Sequence, residues 1–483
     1  MNRPTRRLAM AVLIGFGMLA VMTSWVQVLA ADTYRLDPRN ARFNLAQSGK
    51  ERGVIVSADG VVLARSDPDP ATAGAYIRTY PEGAPFAHVV GYSSLLFGQQ
   101  GLELAYSSEL RSRRDLTISD LISVILGRDL RPLNLQLTID AALQHAAYQA
   151  LRGQRGAVVA LRPATGEILT LVSSPAFDPA LLLGADAAEQ WQRLLDDSQR
   201  PLADRATREL YPPGSTFKVL VTAAALEAGV AASETTFPDP ETFALPGSTA
   251  VISNAGGGVC NNGAFTTLLQ AFVRSCNTTF ARLAIEVGAE PLGRTVEALG
   301  FNGSIAFPWR VAESAFPTDQ LVTDPAALGQ SGIGERDVRA TPLEMALVAG
   351  AIANQGVRMD PFLVARVFDA DGAEVEVTEP APAGQALTVE SAVELAQMME
   401  RVVTEGTGRL AAVPGVRVAG KTGTATGEQG RPHVWFIGFA PVEQPTIAVA
   451  VLIESGGDVG ESASGGSLAA PIAAALIGEW INR

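Results

Sequence analysis

A chain of 483 residues, 47% hydrophobic and 18% charged, can bury two or three globular cores and is too balanced for a disordered protein. Its net charge of −13 argues against nucleic acid as a partner. Two cysteines without a C-x-x-C, and three scattered histidines (His88, His145 and His433), point to no disulfide framework, no metal and no cofactor. The histidines read as ordinary structural residues, since no G-x-S-x-G elbow accompanies them. In chain order, the uncharged run from Leu8 to Ala30 comes first, long enough to cross a bilayer and preceded by Arg3, Arg6 and Arg7. That charge bias predicts a single-pass anchor with an inside N-terminus and an extracytoplasmic body. Val28-Leu29-Ala30 would also suit a signal peptidase, although the apolar run is long for a cleaved signal. Either way a disulfide becomes permissible.

From Asp32 to about Arg131 the pattern is one of short strands, such as Gly53 to Val56 and Val61 to Ala64 around a turn at Asp59-Gly60. A linker near Asp129 to Asn134 leads into the strand-like Leu135 to Asp140, then a helix around Ala141 to Leu151. Gly156 to Leu161 and Glu167 to Val172 read as a hairpin about Ala164-Thr165-Gly166. Tyr211-Pro212-Pro213-Gly214 then hands the chain into an apolar helix, with Val219, Leu220, Ala223 and Leu226 at helical spacing and Gly229 as its stop. Ser215 and Lys218, three apart in its first turn, share a face. Helical patterns at Thr267 to Val273 and Thr278 to Val287 flank Ser275-Cys276-Asn277. Further on, the alternating run Val416 to Ala419 reads as a strand leading into Lys421-Thr422-Gly423-Thr424, where Gly423 would let a substrate backbone come close. Val434 to Phe439, Thr446 to Ile453 and a final helix, Leu468 to Ile481, follow, with Gly456 to Gly466 as a flexible connection. Strands at both ends with helices between predict an α+β architecture. The expected division is 1–31 for tail and anchor, 32–134 for a small, mostly β pedestal, and 135–483 for the body.

A serine hydroxyl needs a base within reach before it can attack a carbonyl. The 37 basic residues include lysine only at 50, 218 and 421; the rest are arginine, which cannot be deprotonated in a protein. A lysine in so arginine-biased a chain suggests chemistry that arginine cannot perform. Lys218 is therefore the candidate base, provided that desolvation and the helix N-terminus lower its pKa. S-x-x-K, S-x-N and K-T-G occur in that order, the set found in class A β-lactamases and penicillin-binding proteins.

Over nearly its whole length the chain resembles the class B penicillin-binding proteins, monofunctional D,D-transpeptidases, and especially their short PbpA-like members. Besides the three motifs, the resemblance rests on Asn40-Ala41-Arg42, Arg52-Gly53-Val54-Ile55, Gly101-Leu102-Glu103, Leu137 to Asp140 and Arg205-Ala206. It extends to Tyr211 to Gly214, Thr341-Pro342-Leu343, His433 to Phe436 and Gly465-Gly466. Asp204 stands where the family pattern has asparagine, and Ser331 interrupts a glutamine-glycine pair after Gln330. The resemblance implies a penicillin-binding/serine β-lactamase-like transpeptidase domain behind a pedestal or dimerisation-like domain. It implies cross-linking of peptidoglycan stem peptides: Ser215 attacks the carbonyl between two terminal D-alanines and Lys218 takes its proton. Ser275 passes a proton to the departing amine, and Asn277 holds the donor amide and orients Lys218. Lys421, Thr422 and Thr424 suit the carboxylate of the substrate or of a β-lactam, and the N–H groups of Ser215 and Thr424 form the oxyanion hole. The implied partners are stem peptides, β-lactam antibiotics, the cytoplasmic membrane and a SEDS-type glycan polymerase, because about 100 residues before Leu135 cannot house a glycosyltransferase.

Other readings stay open. A serine β-lactamase or β-lactam sensor shares two motifs, but the long pre-domain is surplus to a lactamase, and class D enzymes and sensors usually carry S-x-V. A D,D-carboxypeptidase would more often end in an amphipathic anchor, and an inactive scaffold would not need three intact motifs. Cys260 and Cys276 are expected to pair, closing a loop of roughly 15 residues and tethering the residue between Ser275 and Asn277. Two buried free thiols are the alternative.

Overall fold

The computed structural model describes residues 3–30, 49–111, 131–261, 263–427 and 430–483. Asn40-Ala41-Arg42 and the first two residues of the expected linker lie outside the described residues. Helix α1 (Arg3–Ser24) continues through a wider turn, Trp25–Leu29. Its side chains from Arg3 to Val28 are exposed, and it is long and apolar enough to cross a membrane.

Among the described residues two large sheets, of six and five strands, organise the rest of the chain, beside four two-stranded ribbons. The N-terminal segment supplies β1 (Ile55–Val56), β2 (Val62–Pro68), β3 (Tyr76–Thr79) and β4 (Asn134–Leu137). Gly60, at φ +84°, makes the turn between β1 and β2. After α2 (Ala141–Ala150), β5 (Gly156–Leu161) and β6 (Ile168–Ser174) open the second sheet. Next come α3 (Lys218–Glu227), α4 (Leu268–Arg274), α5 (Asn277–Val287) and α6 (Pro342–Ala353). Strands β7 (Val364–Phe368) and β8 (Glu374–Val377) then return to the first sheet, giving it the order β8-β7-β4-β1-β2-β3. β4 pairs in parallel with β1 and antiparallel with β7, so the strand at residue 134 sits inside a sheet built from both sides of that position.

The second sheet is completed after α7 (Val389–Thr404) by β9 (Ala419–Ala425), β10 (His433–Ala440) and β11 (Ile447–Ile453). Its order is β9-β10-β11-β5-β6, antiparallel throughout. β11 is buried along its whole length, which explains its unbroken apolar sequence. Ala448, Ala450 and Leu452 pack with Met345 and Val348 of α6, whereas Val449 and Val451 pack with Leu143 of α2 and Leu476 of α8 (Ala470–Ile481). Every residue of α6 is buried, Glu344 included, as befits a helix whose other side chains are apolar all round.

Three local expectations shift. Ser215 lies in a 3₁₀ turn, Gly214–Phe217, rather than in the α-helix that follows it. The strand begins at Ala419, later than the Val416 to Ala419 alternation suggested, because pairing with β10 runs from Ala419↔Phe439 to Ala425↔His433 and so contains the K-T-G residues. Gly456 to Gly466 is not a plain connection: it contains the 3₁₀ turn Gly460–Ser462, and Gly465 packs against the backbone of Gly423 and Trp435.

Candidate active site

Three contacts anchor the nucleophile turn. Trp435 Nε1 donates to Pro212 O (3.0 Å), Gly214 N–H to Gly334 O (2.9 Å), and Thr216 Oγ1 to Pro213 O (2.7 Å). Gly214 adopts φ +53°, and a Cβ there would sit 2.5 Å from Thr424 O, so the turn can approach β9 only because the residue is glycine. In a 3₁₀ turn residues i and i+3 eclipse, which stacks Ser215 and Lys218 on one side more closely than an α-helical turn would. Ser215 is half-buried, whereas Thr216, Phe217 and Lys218 are buried.

Lys218 and Lys421 meet at Ser275. Lys218 Nζ donates to Ser275 O (2.7 Å) and Asn277 Oδ1 (2.7 Å), and lies 3.2 Å from Ser275 Oγ. Lys421 Nζ reaches the same hydroxyl at 2.9 Å and Thr422 O at 3.3 Å. Both side chains are completely buried, and all of these partners are neutral. Burial, and after it the charge of Lys421, pushes Lys218 well below the ordinary lysine range. Burial likewise brings Lys421 down to about 7. The Phe280 and Phe272 rings, 5.5 and 5.7 Å from the two nitrogens, favour the cations. That gain of about 0.5–2 kcal/mol is smaller than the several kcal/mol lost on removing an ammonium from water, so burial wins. A neutral amine has two N–H bonds and one lone pair. Ser275 O and Asn277 Oδ1 take both N–H bonds of Lys218, leaving its lone pair for a hydroxyl.

The S-x-N segment is held in a demanding shape. A Thr267–Gln270 capping box starts α4, which ends on Ser275 at φ +65°, ψ +45°. The left-handed conformation costs a non-glycine residue roughly 1–2 kcal/mol. Several contacts hold it there: Cys276 N–H donates to Ala271 O (2.8 Å), and Asn277 Nδ2 to Ser253 O (3.0 Å). Cys276 is also joined to Cys260, their α-carbons 5.7 Å apart. Gly288, at φ +84°, closes α5.

β9 is an outer strand of its sheet, with its unpaired edge available to an extended peptide. Thr424 is exposed between buried Gly423 and Ala425. Gly423 is small for the protein's own sake: a Cβ there would meet Pro213 O at 2.8 Å, so it admits the nucleophile turn rather than a substrate backbone. Thr422 Oγ1 bonds Thr407 Oγ1 at 2.5 Å.

Sequence reasoning missed Thr407, Gly334 and Glu335. Gly334 (φ +76°) lies against the nucleophile turn, where its Cβ would fall 2.0 Å from Gly214 O. Glu335 Oε1 accepts from Thr426 N–H (3.0 Å) at the end of β9, and burial raises its pKa. Gln330 and Ser331, flagged above, sit instead in a helix, Pro325–Ser331, upstream of this contact. The only local signal was a cluster of glycines, which indicates a turn but not its neighbour. Asp204 is a buried acceptor for Ser173 Oγ (3.2 Å) and Thr207 N–H (3.1 Å). His145 meets Glu82 at 2.7 Å, His433 Nδ1 accepts from Ser455 N–H, and burial lowers the pKa of His88.

Comparison with known proteins accords with this geometry. Residues 156–478 match the family model described as penicillin binding protein transpeptidase domain, and residues 52–134 that of the penicillin binding protein A dimerisation domain. Peptidoglycan D,D-transpeptidase PbpA of Mycolicibacterium smegmatis is 42% identical over 493 residues, 99% of this chain and 98% of that protein. The Mycobacterium tuberculosis H37Rv protein of the same name is 42% identical over 496 residues, with the same coverage. The ceftriaxone acyl-enzyme structure of penicillin-binding protein A from M. tuberculosis superposes with a TM-score of 0.83 at 40% identity, covering 90% of this chain and 99% of that one. The chain belongs to the penicillin-binding protein family, among its PbpA-like D,D-transpeptidases.

Proposed function

We propose that the protein is a penicillin-sensitive D,D-transpeptidase that cross-links peptidoglycan stem peptides. The observation that carries this reading is the convergence of two buried, uncompensated lysines on Ser275 Oγ, one 3₁₀ turn from Ser215. Neutral Lys218 takes the Ser215 proton as Oγ bonds to the carbonyl carbon of the penultimate D-alanine. The oxyanion settles between the N–H groups of Ser215 and Thr424. Collapse breaks the C–N bond, and the proton held by Lys218 passes through Ser275 Oγ to the departing D-alanine amine. The amine of a second stem peptide then attacks the ester, gives up a proton along the same path, and restores the Ser215 hydroxyl. A bound carboxylate would raise the pKa of Lys421 again, so Lys421 would be recharged by the group it binds. Asn277 positions Lys218 while Thr422 and Thr424 line the carboxylate site.

The wider reading places the body outside the membrane, with a boundary at 31/32, a division near 134/135 that β4 crosses, and a SEDS-type polymerase as partner; the orientation is supported by the one helix among the described residues that is long and apolar enough to cross a membrane and by the arginines in its first two turns. The relatives' acyl-enzyme structures with ceftriaxone, imipenem and penicillin G favour a transpeptidase over a lactamase, which would deacylate quickly. The test is intact-mass spectrometry of the purified protein with penicillin, then with a D-Ala-D-Ala peptide and an amine acceptor. A persistent adduct on Ser215, D-alanine release and an amide product are expected. Rapid hydrolysis of the adduct would identify a lactamase, and no adduct would end the reading.

A further inference from the structure

The Asn277 amide has two hydrogen-bond partners among the described residues, and they differ in which end of it they tolerate. Lys218 Nζ meets its Oδ1 at 2.7 Å, and Ser253 O meets its Nδ2 at 3.0 Å. A neutral amine donates through its N–H bonds and accepts through its lone pair, so Lys218 alone would take the amide either way round. A backbone carbonyl only accepts. Ser253 O therefore decides how Asn277 faces. In the observed orientation Oδ1 takes an N–H of Lys218; turned over, Nδ2 would donate into the lone pair that the base has to offer.

Ser253 O is held in turn by the residue after it. Ser253 ends the short strand Val251–Ser253, which pairs with Thr242–Ala244. Asn254, only 7% exposed, then docks on the first turn of α5. Its Oδ1 accepts from Thr278 N–H (3.1 Å) and Thr278 Oγ1 (3.2 Å), while its Nδ2 donates to Gly258 O (3.2 Å) and Pro240 O (3.5 Å). N–H groups in a helix's first turn lack an intrahelical acceptor, which gives Thr278 N–H a reason to hold Asn254. Asn254 follows Ser253 and Thr278 follows Asn277, so bonding one pair of neighbours sets the spacing of the other. A little further on, Cys260 is joined to Cys276, and the same segment thus grips S-x-N from both sides.

We propose that Asn254 is a positioning residue for acylation: by docking the end of its strand on α5 it presents Ser253 O to Asn277, and so keeps the Lys218 lone pair free for the Ser215 hydroxyl. This role presupposes Lys218 as the base of the function proposed above, and it gives Asn254 no contact with substrate. Without Asn254 the Asn277 amide is released. If it rotates away, Lys218 loses a carbonyl acceptor; if it turns over, the lone pair is occupied. Both also disfavour the ammonium form, because an acceptor stabilises a charged amine and a donor does not. The acylation rate should fall, and the pH below which Lys218 is protonated should fall with it.

The test is the pH dependence of acylation of the full-length protein by a fluorescent penicillin. Asn254→Ala should slow acylation by about 10–100-fold, the scale of a small misplacement of a catalytic group, and move the acid limb of the profile to lower pH. Partial unfolding would lower the whole profile without moving that limb. In an Asn277→Ala background the Asn254→Ala change should have almost no further effect, because its route to Lys218 is already cut. If circular dichroism shows that Asn254→Ala does not fold, Thr278→Val takes its place: it deletes one of the two bonds to Asn254 Oδ1, keeps the bulk of the side chain, and should give the same two changes at smaller size. An acid limb that stays in place, or slowing that persists undiminished in the Asn277→Ala background, overturns the role while leaving the transpeptidase reading intact. A wild-type protein that forms no adduct overturns both.

Discussion

Two buried cationic clusters in this molecule meet the cost of burial in opposite ways. In the catalytic pocket Lys218 and Lys421 have only neutral partners, and burial drives both toward the uncharged amine. In the N-terminal module Arg52 and Arg78 cannot discharge, and a carboxylate is buried with them. Burial pushes Glu103 up, but Arg78 and Arg52 more than offset it and hold the carboxyl below its usual range. Contact geometry decides the sign. Glu344 is equally buried, but Arg358 stands 3.7 Å away and neither carboxylate oxygen is hydrogen-bonded, so burial prevails and lifts its pKa to about 7. Lysine without a counter-ion becomes a base, while arginine with one remains a fixed charge.

The largest effect should come from erasing that distinction. Lys218→Arg preserves charge but removes the proton acceptor, and should slow acylation by a fluorescent penicillin by about 10²–10⁴-fold. Near-normal acylation would remove Lys218 as the base. On the other side, Glu103→Gln strands two guanidiniums and should destabilise the protein by about 3–5 kcal/mol in urea unfolding. A loss below about 1 kcal/mol would mean that the arginines find compensation elsewhere.

The effect that is smallest per pH unit is one of pH itself, and its window, not its sign, separates the clusters. The folded-state pKa of Lys421, about 7, lies below the ordinary lysine value of 10.5, so the unfolded chain binds more protons between those values. Stability should therefore rise with pH across that window, by at most about 1.4 kcal/mol per pH unit for this group. Lys421→Met should flatten the rise. Glu103 acts at the acid end, where its contribution is present above its unfolded pKa and is lost as pH falls through its lowered folded value. Unfolding curves from pH 3 to 10 for wild type and Lys421→Met would reveal both limbs, and identical alkaline slopes would refute the assignment to Lys421.

What could be read from the sequence was what neighbours decide. The apolar period of α3 comes from residues one to four apart, β11 is a short apolar run, and the N-terminal span is a length of uncharged chain. The residue types and order of S-x-x-K, S-x-N and K-T-G were legible for the same reason. The tertiary structure alone decided which groups share a hydroxyl: Ser275 is 57 residues from Lys218 and 146 from Lys421. It also decided that Ser275 takes a left-handed backbone, that Gly423 makes room for Pro213, that β7 and β8 join a sheet begun at Ile55, and that Glu103 lies between two arginines. Local patterns record backbone propensity and burial, which act within a few residues. Charge state, strain and close approach depend on whatever the fold brings to the same place, and no spacing along the chain encodes that.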